Sequence, residues 1–220
     1  RKDRYVCIHK KEDTLMSAFE ISSVLYQPVN PHDRVDHLVS YIQPKLNEDG
    51  SCPIFKEPGE TYHLDKHAVT DNERFHLHDL LVRLNRLTAY VYSYTGVAWF
   101  GIYLQRGDQL VKFAYHGEMS RAEFPIDELY KEKSTNTRVF LENTIQYIPD
   151  VDTHEGPYYR CDAKVKSELC CPLVGLNGTP MGIFDAEDFR THFFDESFSW
   201  FTEELKPAVE WFLHSHPFFK

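Results

Sequence analysis

The chain has 220 residues, among them 16 Phe, 13 Tyr and three Trp, enough bulky apolar side chains for a folded core. Its formal net charge of -10 repels polyanions on average and argues against nucleic-acid binding. No apolar run is long enough to span a bilayer, and five cysteines, with Cys170 and Cys171 adjacent, do not form a secreted disulfide framework, so a cytoplasmic protein with no membrane partner is expected.

Residues 12 to 27 carry Leu15, Met16, Phe19, Ile21, Val24 and Leu25 at roughly helical spacing, with Asp13 as cap. Pro28 and Pro31 end that helix. A second short helix is predicted over Arg34 to Leu46, with Val35, Leu38, Val39 and Ile42 on one face. Residues 47 to 68 hold Asn, Gly, Ser and Pro and read as loop. Residues 1–68 therefore read as a helical and loop extension, and residues 69–220 as the main domain.

Thr70 followed by Glu73 is a capping-box signature. Behind it Phe75, Leu77, Leu80, Leu81, Leu84, Leu87, Tyr90 and Val91 predict a long helix that stops near Gly96. The period then changes. Val97 to Gln105 and Gln109 to Tyr115 read as strands joined by Arg106-Gly107-Asp108. That triplet also matches an integrin-binding motif, but turn chemistry accounts for it. Residues 124–142 are mixed, with a short helix near Thr137 to Leu141, and Ile145 to Ile148 is a short strand. After a loop from Pro149 to Tyr159, Ser167 to Val174 and Met181 to Ala186 read as strands around the turn Gly175-Leu176-Asn177-Gly178. Asp195 is expected to cap a last helix to about His214, kinked at Pro207. The order predicts an α+β fold: an antiparallel sheet with helices on one face and a ligand pocket on the other.

Several short motifs follow one another in this frame. They are Trp99-Phe100-Gly101-Ile102-Tyr103, Ile148-Pro149-Asp150-Val151, Cys161-Asp162-Ala163, Ser167-Glu168-Leu169, Pro172-Leu173, Gly182-Ile183-Phe184-Asp185 and Phe194-Asp195. In this order the set resembles the free methionine-(R)-sulfoxide reductase branch of the GAF domains, over roughly residues 75 to 213. The resemblance implies a GAF-like sheet and a pocket for a small amino-acid-like ligand.

Strand alternation puts Trp99 and Tyr103 on one face, and likewise Asp185 and Glu187, with Phe184 and Ala186 turned to the helices. By resemblance Glu168 joins the acidic set, and Glu187 replaces the family's usual second Asp. Three carboxylates around one cavity repel each other and resist desolvation. The ammonium of a free amino acid would relieve that cost, while the rings of Trp99 and Tyr103 could hold an apolar or sulfoxide-bearing end. The plainer readings are solvated strand-end acids and core packing of the two aromatics.

Reductase chemistry needs a thiolate to attack the sulfoxide sulfur and a second thiol to close a disulfide, which an external dithiol of the thioredoxin type then reduces. The resemblance places the attacking thiol at Cys161. The family's two earlier cysteines fall where this chain has Arg121 and, near the start of the crossover helix, Asn136. No Cys occurs between Cys52 and Cys161. Cys170 shares strand parity with Glu168 and is the candidate substitute inside the domain, although Cys170 and Cys171 also read as small apolar strand residues. Cys7 and Cys52 belong to the extension.

Twelve histidines are present, but His63 and His67 fall in loop, and His76 and His78 diverge on a helix, so no metal site is assigned. There is no Gly-rich phosphate loop, nucleophile elbow or dinucleotide signature, and no cofactor is expected. Two functions stay open: binding of a small ligand without turnover, and reduction of free methionine-(R)-sulfoxide. By resemblance the two long helices suggest a standalone homodimer, with Trp200, Phe201, Trp211 and Phe212 serving either the interface or the back of the sheet.

Overall fold

In the computed structural model the described residues are 19–30, 36–48, 52–53, 56–156, 158 and 162–220. Cys7, Cys161 and the first turns of the first predicted helix lie outside them. Residues 19–26 are helical (α1) and stop before Pro28. The second predicted helix shrinks to one turn, α2 (Asp36–Val39), and the chain then runs as strand β1 (Ser40–Pro44). Its antiparallel partner β2 (Pro58–His63) lies inside the segment read as loop. The cause is tertiary. Tyr41 and Tyr62 stack across the pair at 5.4 Å, and Tyr41 meets Tyr115 edge-on at 5.5 Å. The Tyr41 hydroxyl also donates to the Lys112 carbonyl at 2.8 Å. Strand preference follows such neighbours more than local pattern.

The capping box is formed: Glu73 N–H donates to Thr70 Oγ1 at 3.1 Å, and Thr70 N–H donates to Glu73 Oε2 at 2.9 Å. It opens α3 (Asp71–Thr95), which Gly96 closes at φ +69°, a conformation that costs little without a Cβ. Next come β3 (Trp99–Arg106) and β4 (Gln109–His116), joined by a tight turn with Gly107 at φ +62°. Arg106 donates to Glu73 at 2.5 Å and to the His67 carbonyl at 2.7 Å. The Arg-Gly-Asp triplet is thus a turn tied into the fold.

β5 (Glu123–Pro125), α4 (Glu128–Lys131), α5 (Thr135–Glu142) and β6 (Gln146–Ile148) form the crossover. β7 (Ser167–Val174) and β8 (Pro180–Asp188) complete a six-stranded antiparallel sheet of order β5-β4-β3-β8-β7-β6. Asp195 does not cap the last helix. It lies in a turn, where its carboxylate accepts from the Tyr147 hydroxyl and pairs with His192. A π-helical segment, Trp200–Leu205, leads instead into α6 (Lys206–Ser215), and Pro207 falls in the first turn of α6, where its missing N–H costs least.

The sheet has two unlike faces. Phe100, Ile102, Leu104, Leu169, Leu173, Phe184 and Ala186 pack against Leu80, Leu84, Leu87 and Val91 of α3 and against Phe201, Val209 and Phe212. The extension enters this same core through Ile21, Leu25, Tyr62 and Leu64. Of the aromatics considered for a subunit interface, Trp200, Phe201 and Phe212 are buried and Trp211 is exposed. The other face carries a smaller cluster of Trp99, Tyr103, Cys170 and Ile183 with Phe124, Val139 and Phe140. Among the described residues no helix is long and apolar enough to cross a membrane.

Candidate functional site

Strand register builds the site on the second face. Glu168 on β7 stands opposite Glu187 on β8, and Glu187 stands opposite Trp99 on β3. Two residues along, Cys170 faces Asp185, which faces Gly101. The next row is Pro172, Ile183 and Tyr103. Alternation sends all three rows to one side. Gly101 leaves the space across which the Trp99 indole folds, since a Cβ there would sit 2.3 Å from that ring.

Glu168, Asp185 and Glu187 line one hollow together with Ser134, Thr135, Asn136 and Phe124. The start of α5 supplies the roof. Ser134 caps that helix by accepting from the Thr137 N–H at 3.4 Å, which fixes the next two side chains over the acids. The free volume is about 10 Å³, room for roughly one water. A larger guest must lift the roof.

All three carboxyls are buried, at 3 %, 4 % and 8 % exposure for Glu168, Asp185 and Glu187. Burial first, and then the Glu187 charge, push Glu168 up to about 8; the Tyr158 and Thr135 hydroxyls and the Arg138 charge pull the other way. Burial lifts Glu187 to about 7 against the pull of the Lys56 ammonium. Asp185 is held well above the ordinary carboxylate range by burial and by its two acidic neighbours. Among the described residues, Glu168 Oε1 and Asp185 Oδ1 are buried with no hydrogen-bond partner. Orphaned acceptors of this kind are uncommon in native interiors. Together with the mutual repulsion they suit a small cation bearing N–H donors.

The two expected aromatics reach this face but not the wall of the hollow. The Trp99 indole N–H donates to the Glu118 carbonyl at 3.0 Å, and the Tyr103 hydroxyl donates to the Arg121 carbonyl at 3.3 Å. Their polar ends are spent on the loop between β4 and β5. Phe124, which packs edge-on against Tyr103 at 5.3 Å, is the aromatic that lines the hollow.

Cys170 lies on the acidic face, as strand parity requires, and is fully buried. Its S–H donates to Asn136 Oδ1 at 3.4 Å. Burial, and then the charges of Asp185 and Glu168, push its thiol well up. Cys161 lies outside the described residues, but its neighbour Asp162 pairs with Lys56 at 3.5 Å, both side chains largely buried. Cys52 is buried too. Lys56 and Cys52 come from the segment read as loop, and no sequence pattern points to them. Lys112, also unanticipated, is fully buried; its ammonium donates to the Ser120 carbonyl and hydroxyl at 2.8 and 2.7 Å and lies 4.0 Å from the Tyr115 ring centre. Among the described residues no group of His, Cys, Asp and Glu is arranged to hold a metal ion.

A curled antiparallel six-stranded sheet with helices packed against it defines an α+β class of domain. The GAF domain profile matches residues 79–205, over half of the chain, and the chain belongs to the GAF domain family. Free methionine-R-sulfoxide reductase of Escherichia coli (strain K12) is 29% identical over 108 residues, 49% of this chain and 61% of that enzyme. The chain thus spans about three fifths of that curated relative's length. The structure of type II free methionine-R-sulfoxide reductase from Thermoplasma acidophilum matches with a TM-score of 0.54 at 18% identity, over 66% of this chain and 97% of that one. The free methionine-R-sulfoxide reductase from Neisseria meningitidis in complex with its substrate matches with a TM-score of 0.52 at 21% identity, over 74% of this chain and 94% of that one. At these identities the structures show a shared fold.

Proposed function

We propose that the hollow binds the ammonium group of a free amino acid and that the chain reduces free methionine-(R)-sulfoxide with Cys161 as the attacking thiol. One observation carries the binding half: three buried carboxyls converge on one hollow, two of them with an orphaned oxygen. A cation there replaces mutual repulsion with charge-assisted hydrogen bonds. The likeness to the reductases supports methionine sulfoxide among the free amino acids.

The chemistry balances with an external dithiol. The Cys161 thiolate attacks the sulfoxide sulfur and forms a transient S–S bond; that bond and the original S–O bond then break as the oxygen, taking up a proton, ends on Cys161 as a sulfenic acid. Methionine leaves with its sulfur reduced by two electrons, the two that Cys161 has lost. One thiol of the dithiol then displaces water to form a mixed disulfide, and its second thiol frees Cys161 and closes the external disulfide. A reductant of the thioredoxin type supplies such a dithiol. Glu168, whose acidity is displaced to about 8, suits the delivery of the proton that the departing oxygen requires, while Asp185 and Glu187 ionise around the ammonium.

A second reading, binding without turnover, is favoured by the thiol set. Arg121 and Asn136 stand where the resemblance expects cysteines, and the Cys170 thiol is held protonated by burial. Consumption of free methionine-(R)-sulfoxide in dithiothreitol separates the two. Turnover lost on Cys161→Ser supports the reductase. A thermal shift with methionine sulfoxide but no consumption supports the binder, and neither response removes both.

A further inference from the structure

Arg121 is a buried cation that forms no ion pair among the described residues. It is 7 % exposed. Its guanidinium lies 4.7 Å from the Phe124 ring centre and 5.1 Å from that of Tyr130, and one terminal nitrogen donates to the Tyr130 hydroxyl. Its Nε is buried with no hydrogen-bond partner among the described residues. Arg74, Arg83, Arg106 and Arg190 each pair with a carboxylate; among the described residues none is paired with Arg121. A buried guanidinium held only by rings and one hydroxyl keeps much of its desolvation cost.

The backbone that carries it is pinned. Ser120 takes the Lys112 ammonium on its carbonyl and hydroxyl, the Arg121 carbonyl accepts from Tyr103, and the Ala122 N–H donates to Gln43 Oε1 at 3.3 Å. Phe124 is shared ground: one of its faces carries the guanidinium, and its side chain also lines the hollow with Glu168, Asp185 and Glu187. One region therefore holds orphaned acceptors, Glu168 Oε1 and Asp185 Oδ1, and an orphaned charged donor, Arg121 Nε. A simple amine satisfies only the first set and a simple carboxylate only the second.

We infer that Arg121 binds the carboxylate of a zwitterionic ligand whose ammonium sits among the three acids. The assignment rests on the amino-acid reading above and deepens it by giving the ligand's carboxylate a partner of its own. Guanidinium and carboxylate match as a planar pair, and a site built around an ionic partner discriminates strongly against analogues that lack it.

The test is calorimetric titration of the full chain carrying Cys161→Ser, which prevents turnover. The ligands are L-methionine-(R)-sulfoxide and its carboxamide, which keeps the ammonium and loses the carboxylate. With Arg121 in place, the free acid should bind about 10-fold or more tighter than the amide. Arg121→Gln should remove that preference, weakening the acid about 10-fold while leaving the amide within about twofold, and Arg121→Lys should restore part of it. Equal affinity for acid and amide with Arg121 in place overturns the assignment and needs no Arg121 variant to fold. So does an equal loss for both ligands in Arg121→Gln. Binding of neither ligand overturns the acid-pocket reading itself, and the Arg121 assignment with it.

Discussion

At the scale of single residues, Glu168, Asp185 and Glu187 set function against stability. Each holds its proton in the folded chain to a higher pH than an unfolded carboxyl, which ionises near pH ~4. The folded state therefore binds more protons than the unfolded state between those limits, and stability falls as pH rises from about 4.5 toward about 8 for Glu168. Glu168→Gln should remove part of this penalty. Denaturant unfolding at pH 8 is expected to show a gain on the order of 1–2 kcal/mol, vanishing near pH 4, together with loss of ligand binding. A destabilised variant at pH 8 would mean that the acid is satisfied in a way the register does not reveal. Cys170 is a different case, because its S–H donates to Asn136 inside the wall. Cys170→Ala should cost about 1 kcal/mol of stability and leave sulfoxide consumption with dithiothreitol within roughly twofold; abolished turnover in a folded variant would reinstate it as a working thiol. Strand parity, a local rule, put Asp185 and Glu187 on one face in the sequence; Glu168 joined them through the family resemblance, and Cys170 through its shared parity with Glu168. It did not show that Phe124 lines the hollow in place of Trp99 and Tyr103, since that depends on where their polar ends find carbonyls in the β4–β5 loop.

At the scale of elements, the parts with local instructions were readable. α3 has its capping box, its apolar stripe and its closing glycine, and the β3–β4 turn has Gly107. The parts that failed depend on distant partners. β1 and β2 exist because Tyr41 and Tyr62 meet each other and Tyr115, and Asp195 is drawn away from a helix cap by Tyr147. The close approach of β3 and β8 is equally non-local. A Cβ at Gly182 would lie 2.1 Å from the Tyr103 carbonyl oxygen, and backbone cannot yield as a side chain tip can. Gly182→Ala should therefore destabilise by about 1–3 kcal/mol and shift the rows that hold Asp185 and Glu187. Thermal unfolding beside ligand titration checks both; an unchanged melting temperature would show that the strands have slack.

At the scale of the whole molecule, the extension completes the domain. It sends Ile21, Leu25, Tyr62 and Leu64 into the main core and Lys56 to Asp162, next to the proposed attacking thiol. At the sheet edge, Glu123 accepts from Tyr62 and is approached by Lys66 at 3.3 Å and His67 at 3.4 Å. The hydrogen bond from His67 is the main reason that its carboxyl is lowered to about 2. A depressed acid contributes stability that is present above its unfolded value and lost as pH falls toward 2. Because the side chain is about one third exposed, solvent screening limits the contribution to roughly 1 kcal/mol. Glu123→Gln should lower stability by that amount at pH 7 and by nothing near pH 2, as urea unfolding at the two pH values would show.

The central claim is that a ligand cation takes over from protons held among three buried acids. Titrating the Cys161→Ser chain with L-methionine-(R)-sulfoxide at pH 7, in two buffers of different ionisation enthalpy, counts the protons exchanged on binding. Net release to the buffer is the predicted result, as the arriving ammonium lets the acids ionise. Binding with no release, or with uptake, would contradict it.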